Sequence, residues 1–391
     1  MEKQKNLPEL RFPEFKVEWI MRKLGEISVK INSGKTPSGG ESVYTQNGIL
    51  FIRSQNVFNN KLSLLNSTFI PENINNTMKN SVVKPKDILL NITGASLGRS
   101  CVVPENFSTG NVNQHVCIIR IDKNNEPFFI QPFFSSKKGQ DLFNSLQTGS
   151  GREGLNFQSI RTITLYLPTL PEQQKIASFL TSVDEKLTQL NQKKILLEQY
   201  KKGVMQKIFS QEIRFKDDNG KEFPGWKKKK LGDVATKKSS NISANKIEDN
   251  YGEYIVYGAA GVLKKVDFFK EIDAYISIIK DGAGVGRIFY CEGKTSVLGT
   301  LDIIKPKSEI STYFLYCLLS NIDFIKFITG STIPHIYFKD YSQVFCNIPC
   351  LAEQTLIASF LSSLDEKINQ CQLQIEKTVL YKKGLLQKMF C

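Results

Sequence analysis

The sequence contains few of the side chains that most enzymes use for catalysis or metal binding. Histidine occurs only at His115 and His335, and neither lies beside a recognisable nucleophile motif. Histidine, cysteine and carboxylate residues form no group with metal-ligand spacing. These absences argue against a histidine-based triad and against a metal centre. They predict that the chain has no active site of its own.

Two glycine-containing segments resemble nucleotide-binding loops, but each case is incomplete. "SGKTP" lacks the glycine that a phosphate-binding loop needs five residues before Gly34, because Val29 stands there. "DGAGVG" at 281–286, with Asp302 beyond it, fits the turn of a dinucleotide or S-adenosylmethionine fold. Its counterpart "TGASLGR" from Thr93 lacks the middle glycine, and no Asn-Pro-Pro-aromatic methyltransferase motif occurs. We therefore interpret "DGAGVG" and "TGASLGR" as matching tight turns in duplicated domains and predict no cofactor site.

Long hydrophobic runs and closely paired cysteines are also missing. The apolar stretches are short and interrupted, so we expect no transmembrane helix. The first residues, "MEKQKNLPELRFPEF", contain no apolar signal core, so we do not expect export. The eight cysteines are scattered, and the closest two are Cys346 and Cys350. This pattern is typical of reduced thiols and favours a cytoplasmic protein.

The chain is strongly basic. Lysine and arginine number 52 and aspartate and glutamate 38, so the formal net charge is 52 − 38 = +14. Such an excess favours a polyanionic partner, either nucleic acid or an anionic membrane surface, although solubility alone is an alternative. The run Lys227–Lys230 has the same two interpretations, as a segment that attracts phosphates or as a solvated strand or loop.

One phrase occurs twice in the chain. "EQQKIASFLTSVDEK" begins at Glu172, and "EQTLIASFLSSLDEK" begins at Glu353. Residues 170–209 and 351–390, aligned without gaps, are identical at 20 of 40 positions. The repeat predicts an internal duplication, which has to be considered before any other feature of the fold.

Each copy of the repeat has the pattern of a long helix. Pro171 and Glu172 suit a first helical turn. Apolar residues then recur with a period of about 3.5, which favours a coiled coil over two amphipathic helices packed on separate cores. The two seams hold Ile176, Val183, Leu190, Leu197 and Val204 with Leu180, Leu187, Lys194, Lys201 and Ile208 in the first copy, and Ile357, Leu364, Cys371, Thr378 and Leu385 with Leu361, Ile368, Ile375, Lys382 and Met389 in the second.

Neither helix can bury its seam alone, and the other copy is the obvious partner. A pseudo-twofold axis between the two halves makes the helices antiparallel and puts the globular domains at opposite ends of the pair. The sequence therefore predicts two globular domains joined by a semi-rigid helical pair.

The globular parts also resemble each other in sequence, but more weakly than the two long helices do. "WIMRKLGEI" from Trp19 matches "WKKKKLGDV" from Trp226, and "QTGSGREGLNF" from Gln147 parallels "ITGSTIPHIYF" from Ile328. Between them lie short β-branched and aromatic runs with glycine and asparagine turns, which indicate strands. We expect an α/β fold class, with mixed α+β globular domains, two long helices that form an antiparallel coiled coil, and a pseudo-twofold internal repeat. The predicted segments are globular domains at 1–169 and 211–350 and long helices at 170–210 and 351–391.

This arrangement resembles the specificity subunit of a type I restriction–modification enzyme. The resemblance rests on the alternation of variable domain and repeated helix, on the helix start "EQ…IASFL.S.DEK", and on the helix ends "YKKGVMQKIF" and "YKKGLLQKMF". The domain openings "RFPEF…W…KLGEI" and "FPGWKKKKLGDV" also fit. The resemblance covers essentially the whole chain. It implies that each globular domain is a target-recognition domain that reads one half of a split, asymmetric DNA site.

The resemblance also implies the partners. The paired helices would act as a spacer and as the docking surface for two methyltransferase subunits, and restriction/translocase subunits would join that assembly. S-adenosylmethionine, ATP and magnesium are expected on those partners and not in this chain. Two alternatives from other classes are a self-contained S-adenosylmethionine-dependent DNA methyltransferase and a structural coiled-coil adaptor without a DNA role.

DNA reading requires fork-shaped or bidentate side chains in loops that a stiff scaffold holds in place. We expect phosphate contacts to outnumber base contacts. The candidates in the first domain are Lys35, Thr36, Arg53, Gln55, Asn56, Ser96, Arg99, Asn113, Gln114, His115 and Arg152. The candidates in the second domain are Tyr257, Lys280, Arg287, Thr300, Ser331, His335 and Lys339.

Overall fold

The computed structural model describes residues 7–147 and 154–390, and the chain divides into two compact units. The first unit comprises Met1–Leu190 and Gln374–Cys391, and the second comprises Asn191–Leu373. Each unit therefore combines one globular part with a segment of both long helices.

The strands of the first globular part are β1 (Ile20–Lys23), β2 (Ser28–Ser33), β3 (Ile49–Ile52), β4 (Val57–Phe58), β5 (Lys61–Leu62), β6 (Thr68–Ile70), β7 (Val82–Val83), β8 (Ile88–Asn91), β9 (Ser100–Val102), β10 (Gly110–Val112), β11 (Val116–Ile121) and β12 (Thr164–Leu167). Its helices are α1 (Glu72–Asn76), α2 (Pro127–Ser135), α3 (Lys137–Ser145) and α4 (Phe157–Thr162), with 3-10 turns at Gly40–Val43, Ser54–Asn56, Lys79–Ser81 and Gly94–Ser96. The first long helix, α5, spans Leu170–Phe209.

The strands of the second globular part are β13 (Lys227–Lys230), β14 (Ala235–Ser239), β15 (Tyr254–Gly258), β16 (Gly261–Val266), β17 (Tyr275–Ile279), β18 (Ile288–Cys291), β19 (Ser296–Val297), β20 (Leu301–Pro306) and β21 (Phe345–Ile348). Its helices are α6 (Leu231–Val234), α7 (Thr312–Ser320) and α8 (Phe338–Tyr341), with 3-10 turns at Ala244–Ile247 and Phe324–Phe327. The second long helix, α9, spans Leu351–Lys388.

The two globular parts share one sheet topology. The antiparallel sheet β2-β11-β8-β9 of the first corresponds to β14-β20-β17-β18 of the second. The pair β1-β12 corresponds to β13-β21, and the sheet β6-β3-β10-β7 corresponds to β16-β15-β19. Each of the last two sheets contains one parallel pair, β3 with β10 and β15 with β19. The weak sequence similarity between the globular parts therefore reflects a duplicated domain. The predicted mixed fold with an internal repeat is confirmed.

The two parts differ in the connection that follows β3 or β15. In the first part, residues 53–67 separate β3 from β6 and include the hairpin β4–β5. In the second part, only Ala259 and Ala260 lie between β15 and β16. The second globular part therefore has no counterpart of the hairpin.

The helical seams are buried as expected. Each of the seam residues named above is either buried or half-buried. In the first unit, Lys382 of α9 donates to Asp184 of α5 at 2.5 Å, and the later residues Leu385 and Met389 pack with Ile176 and Leu180. The helix segments of this unit therefore run antiparallel.

The second unit repeats this arrangement with the copies exchanged. Lys201 of α5 donates to Asp365 of α9 at 2.6 Å, and Ile208 joins a core with Ile357 and Leu361. Lys201 and Lys382 thus each pair with the aspartate of the other copy. The third seam lysine, Lys194, instead has its Nζ 3.7 Å from Glu198 Oε1 of its own helix. The antiparallel coiled coil is confirmed in both units.

A buried carboxylate at the start of each long helix explains why "EQ" is repeated. Glu172 is 1% exposed and accepts hydrogen bonds from Arg11 Nε at 2.7 Å and Trp19 Nε1 at 3.2 Å. Glu353 accepts equivalent bonds from Arg214 and Trp226 at 2.7 and 3.0 Å.

The glutamine beside each carboxylate is duplicated as well. Gln173 Oε1 accepts from Glu126 N, and Gln354 Oε1 accepts from Ser311 N, both at 2.9 Å. The repeated dipeptide therefore fixes each long helix to its own globular part.

The remaining composition-based expectations concern membranes and thiols. Within the described residues, no helix combines the length and the hydropathy that a membrane crossing requires. The described cysteines are free thiols, and Cys371 is buried in α9. Burial raises the pKa of both Cys101 and Cys117 to about 12, so these thiols act as small apolar side chains.

Candidate nucleic-acid interface

Backbone hydrogen bonds join the loops at one end of the β2-β11-β8-β9 sheet to the loop that follows β3 of the β6-β3-β10-β7 sheet. Asn113 N donates to Ile52 O at 3.1 Å, and Gly34 N donates to Asn113 O at 3.2 Å. Ile92 N donates to His115 O at 3.0 Å. The loops that follow β2, β3 and β8 and the loop before β11 therefore form one surface, which we call the first loop platform (residues 34–36, 53–56, 92–99 and 113–115).

A chain of side-chain contacts crosses the first loop platform. Thr36 Oγ1 donates to Gln114 Oε1, and Gln114 Nε2 lies 3.1 Å from His115 Nε2. The other ring nitrogen of His115 lies 2.6 Å from Thr93 Oγ1. Three predicted residues are thus brought together, with Lys35 exposed beside them. Sequence reasoning missed Thr93, whose position between a strand and a glycine turn was its only signal.

The two asparagine candidates lie inside the platform. Asn56 is 1% exposed, accepts from Arg53 N and donates to Ser63 O, both at 3.0 Å. Asn113 is also buried and accepts from His115 N at 3.1 Å. In this structure both side chains shape the loops that carry the exposed candidates.

Two arginines of the platform lie against aromatic rings. The Arg53 guanidinium carbon is 5.8 Å from the Tyr44 ring centroid, and that of Arg99 is 5.6 Å from the Phe58 centroid. Arg99 and Gln55 are exposed. Arg53 Nε is buried and has no hydrogen-bond partner among the described residues.

Asn91 holds two of the loops together. Its Nδ2 donates to Ser54 O at 2.9 Å and to Ser96 Oγ at 3.1 Å. The second of these hydrogen bonds orients the side chain of the predicted residue Ser96. The signal in the sequence was a polar residue at the end of the apolar run "DILLNI". The candidate Arg152 lies outside the described residues.

The second globular part builds an equivalent surface, the second loop platform (residues 280–287, 298–300 and 329–339). Lys280 N donates to Thr300 O at 3.0 Å, as Ile92 N does to His115 O. Ile336 N donates to Lys280 O at 3.0 Å, and Gly282 N donates to Pro334 O at 2.9 Å. The candidates Lys280, Thr300 and His335 therefore lie on connected loops.

The two glycine turns are structurally equivalent. Gly98 N donates to Asn91 O at 2.9 Å, and Gly286 N donates to Ile279 O at 2.8 Å. Their φ angles are +82° and +83°, which favour glycine. The interpretation of these segments as matching tight turns is confirmed. Each turn presents an exposed arginine next, Arg99 or Arg287.

Asp302 has a role inside the second platform. It is 3% exposed and accepts from Ser239 Oγ at 2.9 Å. Lys280 Nζ and Lys237 Nζ lie 3.6 and 3.7 Å from its Oδ1. These contacts fix a carboxylate that the dinucleotide interpretation assigned to a ribose.

An aromatic ring also lies between two of the candidates of the second platform. The His335 and Tyr337 ring centroids are 5.2 Å apart, and Lys339 Nζ is 5.3 Å from the Tyr337 centroid. Tyr337 was missed, although it stands in the quoted segment "IPHIYF". Ser331 and Lys339 are exposed.

Tyr257 lies on β15 and not in the second loop platform. Its side chain is half-buried, and burial raises the pKa of its hydroxyl. It lines a cavity together with Tyr290.

The described residues offer no metal centre. No group of three or more His, Cys, Asp or Glu side chains within them is placed to hold a metal ion. What the two platforms do offer is exposed lysine and arginine beside amide, hydroxyl and aromatic side chains. This combination suits phosphate and base-edge contacts.

A family model described as "Type I restriction modification DNA specificity domain" matches residues 16–199 and again residues 224–379. The chain belongs to this family. The two matched regions coincide with the two copies of the duplicated fold, and together they cover most of the chain.

Curated relatives carry matching descriptions. The chain is 22% identical over 411 residues to the putative type I restriction enzyme MjaX specificity subunit of Methanocaldococcus jannaschii, a match that covers 98% of this chain and 95% of that protein. It is 31% identical over 198 residues to the MjaVIII specificity subunit of the same organism. That second match spans about half the length of each protein, 46% in both cases.

Solved structures show the same fold. The type I restriction–modification S subunit from M. genitalium aligns with a TM-score of 0.66 at 17% identity, over 98% of this chain and 99% of that one. A structure concerned with complex assembly of the type I R-M system aligns with a TM-score of 0.55 at 16% identity, over 96% and 98% of the two chains.

Proposed function

We propose that this chain is the DNA-recognition subunit of a type I restriction–modification complex. In this proposal it reads a bipartite, asymmetric double-stranded target and carries out no chemistry itself. Membership of the specificity-domain family supports the DNA role. The observation that carries the proposal is the presence of two equivalent loop platforms whose side chains differ.

The difference between the platforms supports an asymmetric target. The first presents Lys35, Gln55 and Arg99 around a chain of hydrogen-bonding side chains, and the second presents Arg287 and Lys339 around the ion pairs of the buried Asp302. Side chains of different donor and acceptor character select different base pairs in the major groove. Each platform would therefore read its own half-site.

The long helices supply surfaces for partner subunits. In the second unit, Ile195, Leu196 and Tyr200 of α5 are more than half exposed. In the first unit, Val379, Leu380 and Tyr381 of α9 are equally exposed. Exposed apolar groups of this kind mark interaction sites, and their presence in both copies supports two methyltransferase subunits as partners.

The chemistry in this proposal belongs to the partners. S-adenosylmethionine would bind to the methyltransferase subunits, and ATP and magnesium to the restriction/translocase subunits. The proposal includes a cytoplasmic location, where the DNA target is accessible.

Methylation mapping of genomic DNA, with and without the gene for this chain, tests the proposal. We expect a split adenine-methylation motif that disappears with the gene. A methylation pattern that is the same in both strains would contradict the proposal. Saturable binding of S-adenosylmethionine to the isolated chain would instead favour a self-contained methyltransferase.

DNA binding as a function of salt separates the proposal from a structural adaptor. Neutralising several phosphates makes affinity fall steeply with salt, so we expect a strong salt dependence on random duplexes. An affinity that does not change between low and high salt would favour the adaptor.

A further inference from the structure

The second unit contains an open cavity of about 780 Å³ beside α9. Its wall is formed by β18, by α7 and by the first half of α9. Its lining includes four tyrosines, Tyr257, Tyr290, Tyr313 and Tyr316, and among its polar residues are Asp365, Glu366 and Asn369. The cavity therefore combines aromatic faces with an acidic rim, in a chain whose net charge is +14.

The hairpin β4–β5 occupies the corresponding place in the first unit. Lys61 Nζ at its end donates to Thr188 Oγ1 of α5 at 2.6 Å. Asn60 Oδ1 accepts from Ser135 Oγ at 2.7 Å and from Gln131 Nε2 at 3.4 Å. A lysine-bearing segment of the polypeptide thus lies between the sheet and the long helix.

The partners of this hairpin correspond to residues that line the cavity. Thr188 aligns with Asn369 in the helical repeat. Gln131 aligns with Tyr316, because the equivalent helices α2 and α7 are both fixed by the repeated glutamine at their N-caps, Glu126 and Ser311. The cavity therefore exists because the second globular part lacks the insertion that fills this place in the first.

The lining suits a cationic occupant. The rings of Tyr290, Tyr313 and Tyr316 lie 5.2 to 5.7 Å from one another. Burial raises the pKa of Tyr316 to about 12, so its hydroxyl stays neutral. Lys201 Nζ already lies 5.8 Å from the centroid of the Tyr316 ring, as expected for a ring that attracts cations. Glu292 and Glu366 are exposed at the rim and form no ion pair within the described part of the chain.

We propose that this cavity is a docking site for a lysine- or arginine-bearing polypeptide segment of the methyltransferase partner. The segment takes the place that the hairpin β4–β5 fills in the first unit. This inference rests on the proposed function, which supplies the partner. The acidic rim disfavours DNA as the occupant, because phosphates would be repelled there.

Binding of the purified full-length chain to the purified methyltransferase subunit tests the inference. We expect Glu366→Lys to weaken the affinity about tenfold, because it reverses a charge at the rim. Tyr316→Gln, which copies Gln131 of the first unit, removes an aromatic face and is expected to weaken binding by a similar factor of about ten. The loss for Glu366→Lys should show mainly in the association rate and should shrink at high salt.

Glu185→Lys is the matched control. Glu185 occupies the same position in the first copy of the helix and is likewise exposed, but the hairpin fills the place beside it. We expect this variant to keep wild-type affinity. Equal losses for Glu185→Lys and Glu366→Lys would mean that the partner docks on the helices generally, and would overturn the inference.

Three other outcomes would also overturn it. An affinity that does not respond to Glu366→Lys would reject the cavity while leaving the proposed function intact. A wild-type chain that does not bind the methyltransferase subunit would reject the partner of the proposed function and the cavity with it. A change in the oligomeric state of the isolated chain on Glu366→Lys would identify a second copy of this chain as the occupant.

Discussion

The two loop platforms are built on the same framework and differ in the chemistry of their side chains. In both, the backbone hydrogen bonds between the loops are equivalent, as in Ile92 N to His115 O and Lys280 N to Thr300 O. In the first platform, His115 takes part in a chain of side-chain hydrogen bonds, whereas Thr300 stands at its place in the second. In the second, Lys280 lies beside the buried Asp302.

This difference indicates which parts of the duplicated molecule serve stability and which serve recognition. The buried pairs that fix the long helices occur in both halves with the same residue types. The exposed side chains of the two loop platforms, in contrast, differ largely in residue type between the halves. Loops carried by a rigid scaffold can change without cost to the core, so one duplicated framework accommodates two different readers.

The largest expected effect tests whether the framework is equivalent in both halves. Replacing Glu172 or Glu353 by alanine removes a buried carboxylate and deprives a half-buried arginine and a tryptophan N–H of their hydrogen bonds to it. We expect each change to lower the free energy of unfolding by about 3 kcal/mol, because several charge-assisted hydrogen bonds to a buried carboxylate are lost together. Urea denaturation followed by circular dichroism measures this change in stability.

Glu185→Ala is the control for these substitutions, because Glu185 lies on the same helix and is exposed. We expect it to change stability by no more than about 0.5 kcal/mol. A large destabilisation for only one of Glu172 and Glu353 would show that the two long helices are not fixed to their own globular parts in the same way.

A smaller effect is expected where the helical pairs differ. Asp184 accepts from Lys382, whereas Asp365 accepts from Lys201 and also from the Tyr313 hydroxyl. We expect Asp365→Asn to cost about 2 kcal/mol and Asp184→Asn about 1 kcal/mol, because the substitution weakens one more charge-assisted hydrogen bond in the second unit. Thermal unfolding of the two variants under identical conditions gives the ranking. Equal costs for the two variants would mean that the tyrosine contributes nothing, and the reverse order would contradict the prediction.

The smallest effect concerns the lysine run on β13. Lys228 and Lys230 lie over the Phe345 ring at 4.8 and 5.9 Å, whereas Lys227 and Lys229 are exposed without such a contact. If Lys227 and Lys229 contact phosphates, each change to glutamine should reduce the slope of log affinity against log salt by about 1. Lys367→Gln, on the exposed surface of α9, is the control. An equal change for Lys367 would indicate a general effect of charge.

The helical framework was largely predictable because it depends on local periodicity. Heptad spacing predicted which residues form the buried seams. The similarity of the two copies predicted that the two long helices pair with each other. Lys201 and Lys382 interrupt the apolar pattern, and their pairing with Asp365 and Asp184 explains this. That pairing had a signal in the sequence, since an aspartate and a lysine recur in both copies at fixed positions.

The loop platforms were predictable only in part. Turn residues at strand ends indicated which segments carry polar side chains. They did not indicate that Asn56 turns inward, because its acceptor, Ser63 O, belongs to a different turn of the chain. The cavity beside α9 could not be predicted either, because it results from the lack of an insertion that the other half of the molecule contains.

Methylation mapping with paired arginine variants tests the central claim most directly. Arg99 and Arg287 occupy equivalent positions after equivalent glycine turns, one in each platform. We expect Arg99→Ala to relax or abolish recognition of one half of the split motif and Arg287→Ala to do so for the other half, at a cost of about 1–3 kcal/mol for each base that the arginine no longer binds. An equal weakening of both halves in either variant, or a motif that neither variant changes, would contradict the account.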